Sequence, residues 1–186
     1  MAHIDIHQYA TTQPETVFTT ELQIKPEVRD KIIHIINEGD KQNYTSNVKA
    51  CMTDWGMQEQ PGFMELEEEF SGIIQYVSGI IDGSPPPLQI VNMWGAKYQK
   101  GDYTKVHNHW PAVWSGVFYL TVPSDYAGAL MFPDLEHHIE PVTGQLVIFN
   151  GSTRHGVNTI KSSQERIAIS FNYEPMPPQP HLMSHR

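Results

Sequence analysis

Three histidines and one arginine are the residues of this chain best placed to do chemistry. His107 and His109 flank Asn108, His155 follows forty-six residues after His109, and Arg166 comes eleven residues later. On an extended strand, side chains at i and i+2 leave the same face of the sheet, so the His-x-His pair brings two imidazoles close enough to grip one metal ion. His155, beyond another apolar run, is placed to close that grip. Arg166 opens the run Arg166-Ile167-Ala168-Ile169-Ser170-Phe171 and offers a fixed, planar cation to a carboxylate-bearing cosubstrate. The parts suggest a mononuclear iron site beside a bound dicarboxylate. The remaining histidines carry less. His3, His7, His34, His181 and His185 fall in terminal or helical segments and read as solvated. His137 and His138 sit in the charged loop Asp134-Leu135-Glu136-His137-His138, and adjacent residues make a poor chelating pair.

The elements that must position these residues are read from periodicity. Thr16 to Ile24 reads as a strand; Pro26 then suits the first turn of a helix with Ile32, Ile33, Ile35 and Ile36 as its apolar side and Gly39 at its end. Residues 40–62 are polar and turn-rich, with Trp55 and Met57 as anchors. Met64 to Asp82 is the clearest helix: Leu66, Phe70, Ile73, Ile74, Val77, Ile80 and Ile81 recur at helical spacing, and four glutamates crowd its first turns, where the dipole favours anions. Asp82-Gly83-Ser84-Pro85-Pro86-Pro87 ends it. From Leu88 the chain breaks into short β runs: 88–98, 103–107, 112–122, 129–132, 145–149, 155–157 and 166–173. The expected fold is mainly β, an antiparallel double sheet of jelly-roll type backed by N-terminal helices. A single domain over 1–186 is expected, with 1–87 as strand and helical scaffold, 88–173 as the jelly-roll core and 174–186 as a Pro-rich tail without periodicity.

Composition narrows the function classes. A formal charge of −9 with only twelve scattered Lys and Arg argues against a nucleic-acid surface. Cys51 is the single cysteine, so no intrachain disulfide forms; a reducing, cytoplasmic setting fits, and the thiol reads as a small buried side chain. The N-terminus shows no signal peptide, and no apolar run is long enough to span a membrane. Asn43-Tyr44-Thr45 and Asn150-Gly151-Ser152 match the glycosylation sequon, by chance if the chain is not secreted. Trp and Met residues of segment 51–64 offer a surface through which two copies could pair as a homodimer.

One order of elements carries a resemblance. It runs Tyr98-x-x-Gly101, His107-x-His109, Ser115-Gly116-Val117-Phe118-Tyr119-Leu120, Pro141-x-x-Gly144-x-Leu146-Val147-Ile148-Phe149, His155 and Arg166-Ile167-Ala168-Ile169-Ser170-Phe171-Asn172. Over roughly residues 88–173 this resembles the iron(II)/2-oxoglutarate-dependent oxygenases, above all their small bacterial and phage members with His-x-His and Ser-Gly-Val-Tyr-Tyr-like elements. The resemblance implies a double-stranded β-helix, the cupin-like jelly roll. It also implies a hydroxylase that uses Fe(II) and 2-oxoglutarate and attacks a C–H bond of a protein side chain or small molecule, forming succinate and CO2. His107 and His155 then stand where the family has its two histidine ligands. His109 stands where most members have aspartate or glutamate, so the implied metal set is His107, His109 and His155. Three imidazoles leave the ferrous ion its full double charge. Asp125, Asp134 or Glu136 could instead fold in as third ligand. Arg166 matches the clamp on the distal carboxylate of 2-oxoglutarate, with Ser170 and Tyr119 as further hydrogen-bond partners. Asn92, Trp94, Tyr98, Trp110, Trp114 and Asn172 are candidate pocket residues. Two other classes stay open: a cupin-like three-histidine metalloenzyme that does not use 2-oxoglutarate, and a catalytically silent jelly-roll module that binds a partner.

Overall fold

The computed structural model describes residues 16–39, 41–42 and 47–177. His3, His7, His181, His185, the N-terminal segment, the Asn43 sequon and the end of the Pro-rich tail lie outside the described residues. Strand β1 (Val17–Glu21) leads to helix α1 (Pro26–Glu38). Short strands β2 (Lys41–Gln42), β3 (Val48–Lys49) and β4 (Cys51–Met52) and a 3-10 turn at Met57–Glu59 precede helix α2 (Phe63–Asp82). Then come β5 (Leu88–Tyr98), β6 (Tyr103–His107), β7 (Trp114–Thr121), β8 (Leu130–Phe132), β9 (His137–Ile139), β10 (Gln145–Asn150), β11 (His155–Val157) and β12 (Arg166–Pro175). A seven-stranded sheet in the order β1-β10-β7-β12-β5-β4-β2 faces a five-stranded sheet in the order β3-β6-β11-β8-β9. The strands pair antiparallel, as the jelly-roll expectation required.

Both helices have local reasons to start and stop where they do. Pro26 occupies the first turn of α1, where its missing N–H costs nothing, and the Gly39 N–H closes the helix on the Ile35 carbonyl. Before α2, the Gly62 N–H donates to the Glu65 carboxylate at 2.6 Å; hydrogen bonding from the backbone of Glu65 itself, and then from Gly62, holds that carboxyl below its usual range. Gly62 has φ +89°, and a Cβ there would press on Ile32 of α1, so glycine suits the site on two counts. Val28, Ile32 and Ile36 of α1 and Leu66, Phe70, Ile73, Ile74 and Val77 of α2 are buried against the larger sheet.

Four expectations need correction. Residues 40–62 contain three two-residue strands that no sequence window signals, because their pairing is supplied by distant strands: β4 on β5, β3 on β6, and β2 in turn on β4. His137 and His138 belong to strand β9, paired with β8, rather than to a loop. Ile80 and Ile81 are about half exposed, since the helical stripe runs on past the sheet it packs against. Glu174 and Pro175 extend β12 instead of starting the tail.

The larger sheet has two different faces. Along β12, Ile167, Ile169, Phe171 and Tyr173 point at the helices, while Arg166, Ala168, Ser170 and Asn172 point between the sheets. The same alternation runs through Phe18, Leu146, Ile148, Phe118 and Leu120 outward and Val17, Val147, Phe149, Val117 and Tyr119 inward. Gly116 in β7 lies where a methyl group would collide with the Phe171 ring and the Val147 carbonyl, so the run Ser-Gly-Val needs its glycine for packing.

Candidate metal centre and cosubstrate pocket

His107 ends β6 and His155 begins β11, and the two are direct partners across the antiparallel ladder. Cross-strand register thus brings together residues far apart in sequence. His109 lies beyond the end of β6 and not on the strand, which corrects the i, i+2 argument. Its backbone is pinned instead by the β10–β11 turn: the His109 N–H donates to the Gly151 carbonyl at 2.8 Å, and its own carbonyl accepts from the Ala112 N–H at 2.9 Å. The three imidazoles still converge, with one ring nitrogen from each lying within 4.8 Å of the others. They are the one such group among the described residues. Asp125, Asp134 and Glu136 are exposed, and Asp134 pairs with Arg154 at 3.0 Å.

Backbone carbonyls orient two of the rings. His107 Nδ1 lies 2.8 Å from the Lys105 carbonyl and His155 Nδ1 lies 3.0 Å from the Thr153 carbonyl. Each Nδ1–H therefore donates to backbone and leaves Nε2 as a free lone pair, the arrangement a metal ligand needs. His109 Nε2 stands 3.2 Å from His155 Nε2, and its Nδ1 faces the Asn172 amide at 3.5 Å. Phe149 and Phe132 flank His155, and Trp94 flanks His109 with ring centroids 5.9 Å apart. This apolar cover pushes all three histidines toward neutrality. Burial lowers His107; burial and then repulsion from His107 bring His109 down to about 4; burial and then its two histidine neighbours bring His155 down to about 3. At neutral pH the cluster is three uncharged nitrogen donors.

Arg166 is 1% exposed. Its guanidinium lies between the rings of Tyr98 and Tyr119, 4.9 and 4.8 Å from their centroids, and Nη1 donates to the carbonyls of Ala127 at 3.2 Å and Gly128 at 2.7 Å. Arg166 Nε and the Tyr119 hydroxyl are both buried without a hydrogen-bond partner. Such orphaned donors are rare in folded proteins, and here one belongs to a buried positive charge and the other to a ring packed against it. Burial pushes the Tyr119 phenol up to about 12, partly offset by the guanidinium, so it stays protonated and able to donate. One hollow between the sheets is lined by His107, His109, His155, Arg166 and Ser170, with Tyr98 and Trp94 among its walls. The orphaned donors and the neutral nitrogen set fit an anionic cosubstrate beside a divalent metal. A roomier hollow of about 240 Å³ at the C-terminal end of α2 contains none of these groups.

Other candidates scatter. Trp110 is 75% exposed, and Trp114 faces the helices, where its indole N–H donates to Ser78 Oγ at 2.7 Å. Asn92 and Asn172 hydrogen-bond to each other behind His109 at 2.6 Å. The carbonyls of Lys105, Ala127, Gly128 and Thr153 were beyond sequence reasoning, because a backbone acceptor has no residue type. Gly128, with φ +81°, is the one faint signal of the chain's close approach to Arg166.

The comparisons with known proteins agree with this geometry. The family described as "Putative 2OG-Fe(II) oxygenase" matches residues 92–138 and 133–172. The fold is similar to that of a viral collagen prolyl hydroxylase from Paramecium bursaria Chlorella virus-1, at 18% identity and a TM-score of 0.68, covering 86% of this chain and 96% of that one. A prolyl-4-hydroxylase from Pseudomonas putida is similar at 15% identity and a TM-score of 0.68, covering 87% of this chain and 93% of that one. HygX from Streptomyces hygroscopicus, solved with nickel, 2-oxoglutarate and hygromycin B bound, is similar at 10% identity and a TM-score of 0.64, covering 86% and 83%. No protein of curated function matches in sequence. The family match thus spans residues 92–172, the strands that carry the histidines and the arginine, and the solved structures share the fold of the whole described chain.

Proposed function

We propose that this protein is an Fe(II)- and 2-oxoglutarate-dependent hydroxylase acting on a C–H bond of a protein side chain or small molecule, with residues 1–186 as one oxygenase unit. The observation that supports this reading best is the buried Arg166, its Nε without a partner, lining the same hollow as three convergent neutral imidazoles, with the ring of Tyr119, whose hydroxyl is also orphaned, packed on its guanidinium. His107, His109 and His155 are the proposed metal ligands. Arg166 takes the distal carboxylate of 2-oxoglutarate, Tyr119 donates its hydroxyl to the same group, and Ser170, two positions from Ala168 on the inward face, adds a third donor. Fe(II) and 2-oxoglutarate held there would support hydroxylation with dioxygen as the oxidant, one oxygen atom going to the substrate C–H bond and the other to succinate as 2-oxoglutarate loses CO2.

The chain's own contribution is positioning and charge. Three neutral ligands leave a double positive charge, which the dianionic cosubstrate balances, and Arg166, its guanidinium packed on two tyrosine rings, then holds the carboxylate away from water. The low proton affinity of His109 and His155 keeps their ring lone pairs available to a metal below neutral pH. Both kinds of substrate have precedent among proteins of similar fold: a prolyl hydroxylase from Trichoplax adhaerens was solved with a protein-derived peptide fragment and HygX with hygromycin B. The test is an anaerobic titration of Fe(II)-loaded protein with 2-oxoglutarate. A saturable visible charge-transfer band supports the reading. Tight Fe(II) binding without the band transfers the weight to a three-histidine metalloenzyme of cupin type, and failure to bind Fe(II) defeats both.

A further inference from the structure

Ser115, Asn172 and Asn92 form one rung of the larger sheet, where β7, β12 and β5 are direct neighbours and Asn172 pairs in register with both others. Their side chains are joined by short hydrogen bonds: Ser115 Oγ donates to Asn172 Oδ1 at 2.6 Å, and Asn172 Nδ2 donates to Asn92 Oδ1 at 2.6 Å. Asn172 Nδ2 also lies 3.5 Å from His109 Nδ1, where its second hydrogen can be donated. Read in sequence, the donors run in one direction. Ser115 donates to Asn172, Asn172 to His109 Nδ1, His109 Nε2–H to His155 Nε2, and His155 Nδ1–H to the Thr153 carbonyl. In this polarity His109 carries its proton on Nε2, and the hydrogen bond to His155 occupies two of the three nitrogens that the metal reading requires.

A histidine that ligates through Nε2 must carry its proton on Nδ1 and needs an acceptor there. His107 and His155 have fixed backbone acceptors; His109 has the Asn172 amide. A primary amide turned by 180° exchanges its oxygen for its nitrogen with no change of shape. Ser115 can then accept where it donated, and Asn92, turned likewise, can donate where it accepted. We propose that the Ser115–Asn172–Asn92 rung is a reversible tautomer clamp on His109. One polarity stabilises the metal-free His109–His155 hydrogen bond, and the other presents Asn172 Oδ1 to His109 Nδ1–H and frees Nε2 for the metal. Between the two states the ring gives up the Nε2 proton to water and takes one at Nδ1, with no net change of charge. Asn172 is a positioning residue in this account, and the proposal rests on the metal-centre reading above.

The test uses Zn(II) as a diamagnetic probe and nitrogen NMR of the full chain labelled in its histidines, together with Zn(II) affinity by competition with a chromophoric chelator. In the metal-free wild type, His109 should be protonated on Nε2, and in the Zn(II) form on Nδ1. Asn172→Leu should lower Zn(II) affinity by roughly 10- to 100-fold, the range seen when the outer partner of a ligating histidine is removed. Asn172→Asp, which only accepts, should place the proton on Nδ1 before metal is added and restore or exceed wild-type affinity. Asn92→Leu, at the less buried end of the rung, reads the same effect at smaller size should Asn172→Leu fail to fold. The clamp is overturned if metal-free His109 already carries its proton on Nδ1, or if folded leucine variants match wild type in affinity and tautomer. A wild type that takes up no Zn(II) or Fe(II) would remove the metal reading itself, and the clamp with it, before any variant is compared.

Discussion

The two faces of β12 have the same backbone and opposite characters. Outward, Ile167, Ile169, Phe171 and Tyr173 meet α1 and α2 in close apolar packing, and the one polar group there, the Tyr173 hydroxyl, finds Ser71 at 2.8 Å. Inward, Arg166 is buried with a donor unsatisfied, and Asn172 spends its amide on a network behind a histidine. A face that only holds the fold together satisfies every group it buries. The inward face leaves polar groups waiting, and that is the physical mark of a site built for something else to enter.

Crossed substitutions break this comparison most severely. Phe171→Ala should cost about 3–5 kcal/mol in urea unfolding, through lost burial and the cavity left between α2 and the sheet, while Fe(II) affinity of the folded molecules stays unchanged. His155→Ala should do the reverse: Fe(II) binding falls below detection by chelator competition, and stability moves by less than about 2 kcal/mol. If Phe171→Ala released iron from folded protein, the two faces would not be independent. Arg166→Leu comes next. It should leave Fe(II) bound yet weaken 2-oxoglutarate by about 100-fold or more, read from the charge-transfer titration, since two or more charge-assisted hydrogen bonds are lost.

Gly116→Ala sharpens the contrast at smaller size. The added methyl points outward at Phe171, so it should cost about 1–3 kcal/mol by overpacking, with 2-oxoglutarate affinity intact. The smallest effect is the pH dependence of the metal-free protein. His109 and His155 have folded values near 4 and 3, below the ordinary 6.5 that they recover on unfolding. Below pH 6.5 the unfolded chain binds protons that the folded chain refuses, so stability is complete above that pH and declines as pH falls toward 4 and 3. Thermal midpoints measured from pH 7 to 4.5 should fall less steeply in His109→Gln. An equal slope in the two proteins would show that His109 titrates normally in the fold.

Much of this was legible before any fold was known, and for definite reasons. Strands β5 and β6 fall where turn residues say they do, because the Gly-Pro run before Leu88, Gly101-Asp102 and Asn108 bound stretches rich in β-forming residues. Strands β2, β3, β4 and β9, of two or three residues, are too short to hold a period and exist only because a neighbour offers them hydrogen bonds. The stripe of helix α2 is plain in the sequence, yet it does not say where the sheet beneath it stops, so Ile80 and Ile81 keep its period and stand half exposed.

The site divides along the same line. Residue type by itself determined the chemistry on offer: imidazole nitrogens at His107, His109 and His155, and a permanent planar cation at Arg166. Those are covalent facts that no fold can change. Only the tertiary structure decided that His107 and His155 meet across a ladder, that Tyr98 and Tyr119 close on the guanidinium, and that a rung of serine and two asparagines backs His109. Proton position and pairing depend on backbone carbonyls and cross-strand register, which belong to the assembled sheets and to no residue alone.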